Sequence, residues 1–269
     1  MEIAFRRSQL PFTLYDFFGY LLPGVIFGAL VVLSFDIPKL LKLFGCFVSG
    51  GCTPPAYSFV FLHFIDLLQK SPVFISILCL LTAYVLGHII GALSSLLFER
   101  VVVQIWLRYP TDNMFSLKKA TPMSRIFPNF CRPYSNDFVG SFKSQFESNF
   151  KMPFGSSSDI FWLCFEFVAH NCPTAFARAT HFLNLYGFSR NLSMVFFFSA
   201  LVLLSFELLE GMRLHLSISI VYALTAFFLF WNYLKLLRRL NDEIYRAFYS
   251  FASTGAIYYD KQGSPERGI

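Results

Sequence analysis

Polar positions nearly vanish from four stretches of this chain, at residues 17–35, 73–98, 191–209 and 214–234. Each approaches the roughly 20 apolar residues that a helix needs to cross a hydrocarbon core. Between the second and third lies a polar section of about ninety residues, long enough for a small domain. The pattern predicts an all-α integral membrane protein with four transmembrane helices and a mostly helical cytoplasmic insert between spans 2 and 3. The predicted order is an N-terminal arm (1–15), helix 1 (16–36), an extracytoplasmic loop (37–72) and helix 2 (73–98). The insert (99–190), helix 3 (191–209), a short turn (210–213), helix 4 (214–234) and a cytoplasmic C-terminal helix and tail (235–269) follow.

Helix 1 resembles a signal peptide in having Arg6 and Arg7 before its apolar run. The run is too long for a signal core and lacks a small-x-small cleavage site, so it is read as retained. Pro23-Gly24 predicts a kink inside it. The loop after it carries Gly50-Gly51 and Pro54-Pro55, which are turn chemistry. Cys46 and Cys52 flank that turn and are a candidate disulfide pair in an oxidising compartment.

Two periodic signals stand out. In the second predicted span Tyr84, His88, Gly91 and Ser95 follow at steps of four, three and four, with Gly87 and Ser94 beside them. They fall on one helical face. A lipid-facing helix has no use for such a stripe, whereas small residues let another helix approach closely and polar groups in hydrocarbon need partners. The face made by Tyr84, Gly87, His88, Gly91 and Ser95 is therefore read as a packing or functional seam. In the insert Phe138, Phe142, Phe146 and Phe150 recur every four residues, an aromatic stripe expected to be a core face or a membrane-surface face. The segment before it holds Pro110, Pro122, Pro128 and Pro133 and is expected to be irregular. After it come a helix near 158–170 and one long helix from Pro173 through the third span.

Composition agrees with the pattern: 55% hydrophobic residues, 14% charged and 36 Phe describe a membrane chain. A net charge of +6 raises the question of nucleic acid. Topology answers it. With both termini and the insert on one side, that side holds eighteen Lys and Arg and the other four, which accounts for all 22. The positive-inside rule thus places both termini in the cytoplasm of a plasma membrane, read as a bacterial inner membrane, and leaves no charge for nucleic acid to explain.

Candidate chemistry is sparse. His88 is an ionisable group inside a span, which marks it for proton relay or metal ligation unless it bonds a neighbouring helix. Cys131, Cys164, His170, Cys172 and His181 are ligand types without metal-site spacing. No nucleophile elbow, P-loop, Rossmann glycine pattern or His-Glu-x-x-His is present. No cofactor is implied. Arg190, where the third span begins, is a candidate for coupling the insert to the membrane helices by pairing with Glu99 or Asp16. The function expected is a membrane module whose insert docks or senses a cytoplasmic protein partner, and which forms a homo-oligomer in the lipid bilayer through its small-residue face. A pore-like or permeability-altering effector of the bacterial stress or phage-defence type is a version reached by analogy. The alternative is a membrane-bound enzyme or redox protein using His88 and cytosolic His and Cys, against which the missing motifs weigh.

Overall fold

The structure, a computed structural model, describes residues 16–30, 72–119, 121–155, 157–210 and 213–262. The described elements are helical, with no strand among them. Helix α1 covers Phe17–Leu30, and α2 covers Pro72–Ser94 and continues as a π-type stretch, Ser95–Leu107. Two short pieces follow, α3 at Pro110–Met114 and a 3-10 turn at Pro122–Arg125. Then come α4 (Asn136–Phe150), α5 (Ser157–Asn171), α6 (Pro173–Glu210) and α7 (Arg213–Gln262). Three helices are long and apolar enough to cross a membrane: Ser76–Met114, Pro173–Ser205 and Leu216–Ser253. Of the first expected span, the described part is the shorter apolar helix α1, about 21 Å long at 1.5 Å per residue against the roughly 30 Å of a bilayer core. Cys46 and Cys52 lie outside the described residues.

The chain divides into two compact units, residues 1–95 with 187–230, and 96–186 with 231–269. In the first, α6 is the central helix. Its most apolar window is 56% buried, against 17% for α2 and 22% for α7. The outer helices expose Ile77, Leu81, Val85, Ile220, Val221 and Phe228, the surface expected where the solvent is hydrocarbon. Polar groups inside this unit bond across helices. Ser193 Oγ donates to the Ala226 carbonyl and Ser219 Oγ to the Ala200 carbonyl, each at 2.8 Å, and all four residues are buried. Hydroxyls in an apolar span thereby find acceptors without opening the helix.

The second unit is organised by aromatic burial. The stripe of α4 turns inward: Phe142 and Phe146 are buried, with Phe138 and Phe150 half-buried beside them. Phe142 meets the rings of Phe115 at 4.8 Å, Phe248 at 5.3 Å and Tyr245 at 5.7 Å. Ile160, Cys164 and Val168 of α5 and Ala175 and Ala179 of α6 join them at helical spacing. Leu240, Ile244, Tyr245 and Phe248 of α7 complete the same core. The insert and the segment after the last apolar run, separate in the sequence reading, therefore share one hydrophobic core through residues 114–179 and 240–248. The proline-rich part is less irregular than expected, because Pro110 occupies the first turn of α3, where a missing N–H does no harm. Loop 126–135 is strapped onto α7. Arg238 donates to the carbonyls of Phe130 at 2.6 Å and Arg132 at 2.7 Å, and Tyr134 Oη donates to Asp242 at 2.6 Å.

Candidate functional site

The small face of α2 has a partner, and it is α1. A Cβ added to Gly24 would overlap the Ala83 carbonyl and lie 2.9 Å from the Gly87 nitrogen. One added to Gly87 would overlap the Tyr20 carbonyl, and one on Gly91 would sit 2.7 Å from Tyr20 Cε1. The two backbones are in direct contact, which only glycine permits at Gly24 and Gly87. His88 lies under the Tyr20 ring, stacked at 4.0 Å, with the Tyr84 ring edge-on at 4.5 Å. The rest of the imidazole is exposed on the surface of α2.

Pro23 determines what happens one turn earlier. In an α-helix the N–H of residue 23 would bond the carbonyl of residue 19, but proline has no N–H and its ring crowds that carbonyl. The helix responds by widening. Phe17–Leu21 adopts a π turn, with the Leu22 N–H donating to the Phe17 carbonyl. Asn191 Nδ2 of α6 then donates to the Gly19 carbonyl at 2.5 Å, and Asn191 Oδ1 accepts from the Ser94 hydroxyl of α2 and from Arg190 Nε at 3.2 Å. Ser94 and Asn191 are fully buried and Arg190 nearly so. One amide thus ties three helices together at a carbonyl that proline left without a helical donor.

The sequence-selected residues divide accordingly. Tyr84, Gly87, His88 and Gly91 belong to the α1–α2 seam, while Ser95 begins the π stretch that follows it. Asp16 immediately precedes the π turn of α1, and Glu99 belongs to the second unit. Tyr20 and Gly19 carry no signal in the pattern of hydrophobic and polar positions, Ser94 lies beside the stripe, and Asn191 follows Arg190, the residue marked for coupling. The signal for Gly19 was available: counting four back from a transmembrane proline identifies the carbonyl that needs a donor.

The ligand types of the second unit are dispersed. Among the described residues no three His, Cys, Asp or Glu side chains are grouped as metal ligands. Cys164 is buried, and burial pushes its thiol well above the ordinary range. Cys131 and Cys172 are raised for the same reason, with the Arg238 charge partly opposing the shift at Cys131. These thiols are poor nucleophiles at neutral pH. A buried polar cluster links α3 to α7: Thr111 Oγ1 lies 2.6 Å from Tyr245 Oη and donates to Asn241 Oδ1 at 3.5 Å. Desolvation holds the Tyr245 phenol far above its usual value, and burial together with its bond to Asp242 does the same for Tyr134.

A cleft of about 280 Å³ opens beside α7 in this unit, lined by Phe127, Trp231, Lys235, Arg238, Arg239 and Asp242 among others. Phe127 and Trp231 meet with ring centroids 5.3 Å apart. Compared with known protein families, with curated proteins and with solved structures, the chain matches none.

Proposed function

We propose that this protein is a membrane-embedded module whose second unit, on the cytoplasmic side of a bacterial inner membrane, docks or senses a protein partner and passes the state of that unit to the helices in the bilayer. The observation that carries this reading is continuity. Helix α6 runs unbroken from Ala175 and Ala179 in the aromatic core to Ser193 and Ser199 in the first unit, and α7 from Ser219 to Phe248. A helix that continues from one unit into the other lets a shift in one bias the other. The Lys and Arg asymmetry supports the cytoplasmic side. The small-residue face is taken by α1, so a homo-oligomer would form through other surfaces. The pore-like version extends the same reading. The redox alternative draws no support from Cys164, which is sealed in the core, while His88 stacks on Tyr20 with its other side exposed.

Hydrogen exchange on the purified protein tests the coupling. Phe142→Ala, which loosens the core of the second unit, is expected to speed exchange in peptides covering 17–30 and 187–195. Unchanged exchange there, with faster exchange at 136–170, would show that the units respond independently and would overturn the proposal. Ion or dye flux in proteoliposomes tests the pore version, and its absence in every oligomeric state leaves a sensor or scaffold.

A further inference from the structure

The cleft beside α7 has a composition that the coupling function does not use. Trp231, Lys235 and Arg239 recur every four residues and so share one face of the helix. They follow directly on the apolar run that makes Leu216–Ser253 a candidate span. Lys235 and Arg239 are exposed, and neither makes a side-chain hydrogen bond or ion pair among the described residues. The other two charges in the lining are committed elsewhere: Arg238 to two backbone carbonyls of loop 126–135, and Asp242 to Tyr134 and to Arg246 Nε at 2.9 Å. The cleft therefore presents two uncommitted cations with its carboxylate already neutralised, and an aromatic pair, Phe127 with Trp231, on the side toward the apolar run. Aromatic rings settle at the headgroup level of a bilayer, and paired cations immediately beyond them meet lipid phosphate.

We propose that this cleft is a binding site for the phosphate of an anionic phospholipid, with Lys235 and Arg239 as the counter-charges and Trp231 packing on the glycerol and the first acyl carbons. A volume of about 280 Å³ accommodates a glycerophosphate headgroup, while the acyl chains remain outside along the apolar part of α7. The fixed Arg238 makes this a built site, because it holds loop 126–135, and with it Phe127, against the helix. The inference rests on reading α7 as membrane-spanning, and it is independent of whether the module conducts ions or couples its units.

The test uses the full chain purified in mild detergent, titrated with phosphatidylglycerol, phosphatidylcholine or inorganic phosphate. Bound lipid is read by native mass spectrometry and stabilisation by thermal melting. Phosphatidylglycerol is expected to bind and to raise the melting temperature, with phosphatidylcholine and inorganic phosphate giving little. Lys235→Gln with Arg239→Gln is expected to weaken phosphatidylglycerol binding about twenty-five-fold, taking roughly fivefold for each juxtamembrane cation. The control pair Lys143→Gln with Lys151→Gln, both exposed in the same unit, removes the same charge and should leave binding within about twofold. Equal losses in both pairs would show nonspecific charge attraction and overturn the site. Equal stabilisation by inorganic phosphate would overturn the lipid assignment. A folded protein that binds none of the three would overturn the site while leaving the membrane reading intact, whereas failure to partition into liposomes would remove the membrane reading itself.

Discussion

The two units solve the problem of packing helices in opposite ways. Where α1 meets α2 the contact is made by residues with almost no side chain, Gly24 against Ala83 and Gly87, and the surrounding specificity comes from single polar bonds such as Asn191 to Gly19. Where α4, α5 and α7 meet, the contact is made by the largest side chains available, Phe115, Phe142, Phe146, Tyr245 and Phe248. With the first unit in lipid and the second in water, as proposed above, the solvent explains the difference. Lipid is as apolar as leucine, so helices in it gain nothing by burying large apolar groups and must gain by close approach and by satisfying polar atoms. Against water, each buried ring contributes through the area it removes from solvent.

Each side of that contrast can be broken by substitution. The largest effect is expected for Phe142→Ala, which empties the centre of the aromatic core and should destabilise the second unit by about 4 kcal/mol. Denaturant melts followed by exchange within 136–170 measure it, and a loss below about 1 kcal/mol would mean that the stripe is not the keystone its burial indicates. Gly87→Val comes next, at about 3 kcal/mol, because the added carbons meet the Tyr20 backbone and not a movable side chain. Disulfide trapping between cysteines placed on α1 and α2 should fall sharply in this variant. Trapping at the wild-type rate would show that the helices do not touch there.

Much of the second unit was legible because burying one face of each helix imposes a period. The four-residue stripe of α4, the helix near 158–170 and the unbroken helix from Pro173 were all readable from spacing, and they appear as Asn136–Phe150, Ser157–Asn171 and Pro173–Glu210. Periodicity names the face that is buried but not its neighbour. The lower half of α7 therefore read as a separate amphipathic segment, although Leu240, Ile244, Tyr245 and Phe248 close the insert's core. The seam of α2 was likewise visible as a face, with α1 invisible as its partner. The polar tie at Asn191 was hidden for a third reason. It answers a missing backbone donor at Gly19, and side-chain patterns do not report the state of backbone carbonyls.

That tie gives a sharper test than deletion alone. Asn191→Ala leaves the buried Gly19 carbonyl and Ser94 hydroxyl short of a partner and should cost about 2 kcal/mol in thermal or denaturant stability. Pro23→Ala restores the N–H that an α-helix directs at the Gly19 carbonyl. In that background Asn191→Ala should cost about 1 kcal/mol less, and strictly additive effects would show that Asn191 is not compensating for the proline.

The smallest effect belongs to Tyr245→Phe, and it depends on pH. Removing this hydroxyl takes one partner from Thr111 while Asn241 remains, so the expected cost is about 1 kcal/mol near neutrality. Tyr245 and Tyr134 are both held neutral in the folded protein well above the ordinary phenol value of about 10. Below that value both phenols are protonated whether folded or unfolded, and they impose no pH dependence. Above it the unfolded chain loses protons that the folded chain keeps, so unfolding becomes progressively easier as the pH rises. Each such tyrosine steepens the fall by about 1.4 kcal/mol per pH unit. Tyr245→Phe should remove one of these two contributions, so its deficit at pH 7 should shrink and then reverse as melts are repeated from pH 9.5 to 11.5. A deficit that stays constant across that range would mean that the phenol ionises as freely in the folded unit as in water, which a hydroxyl enclosed by Thr111, Asn241 and the aromatic core does not allow.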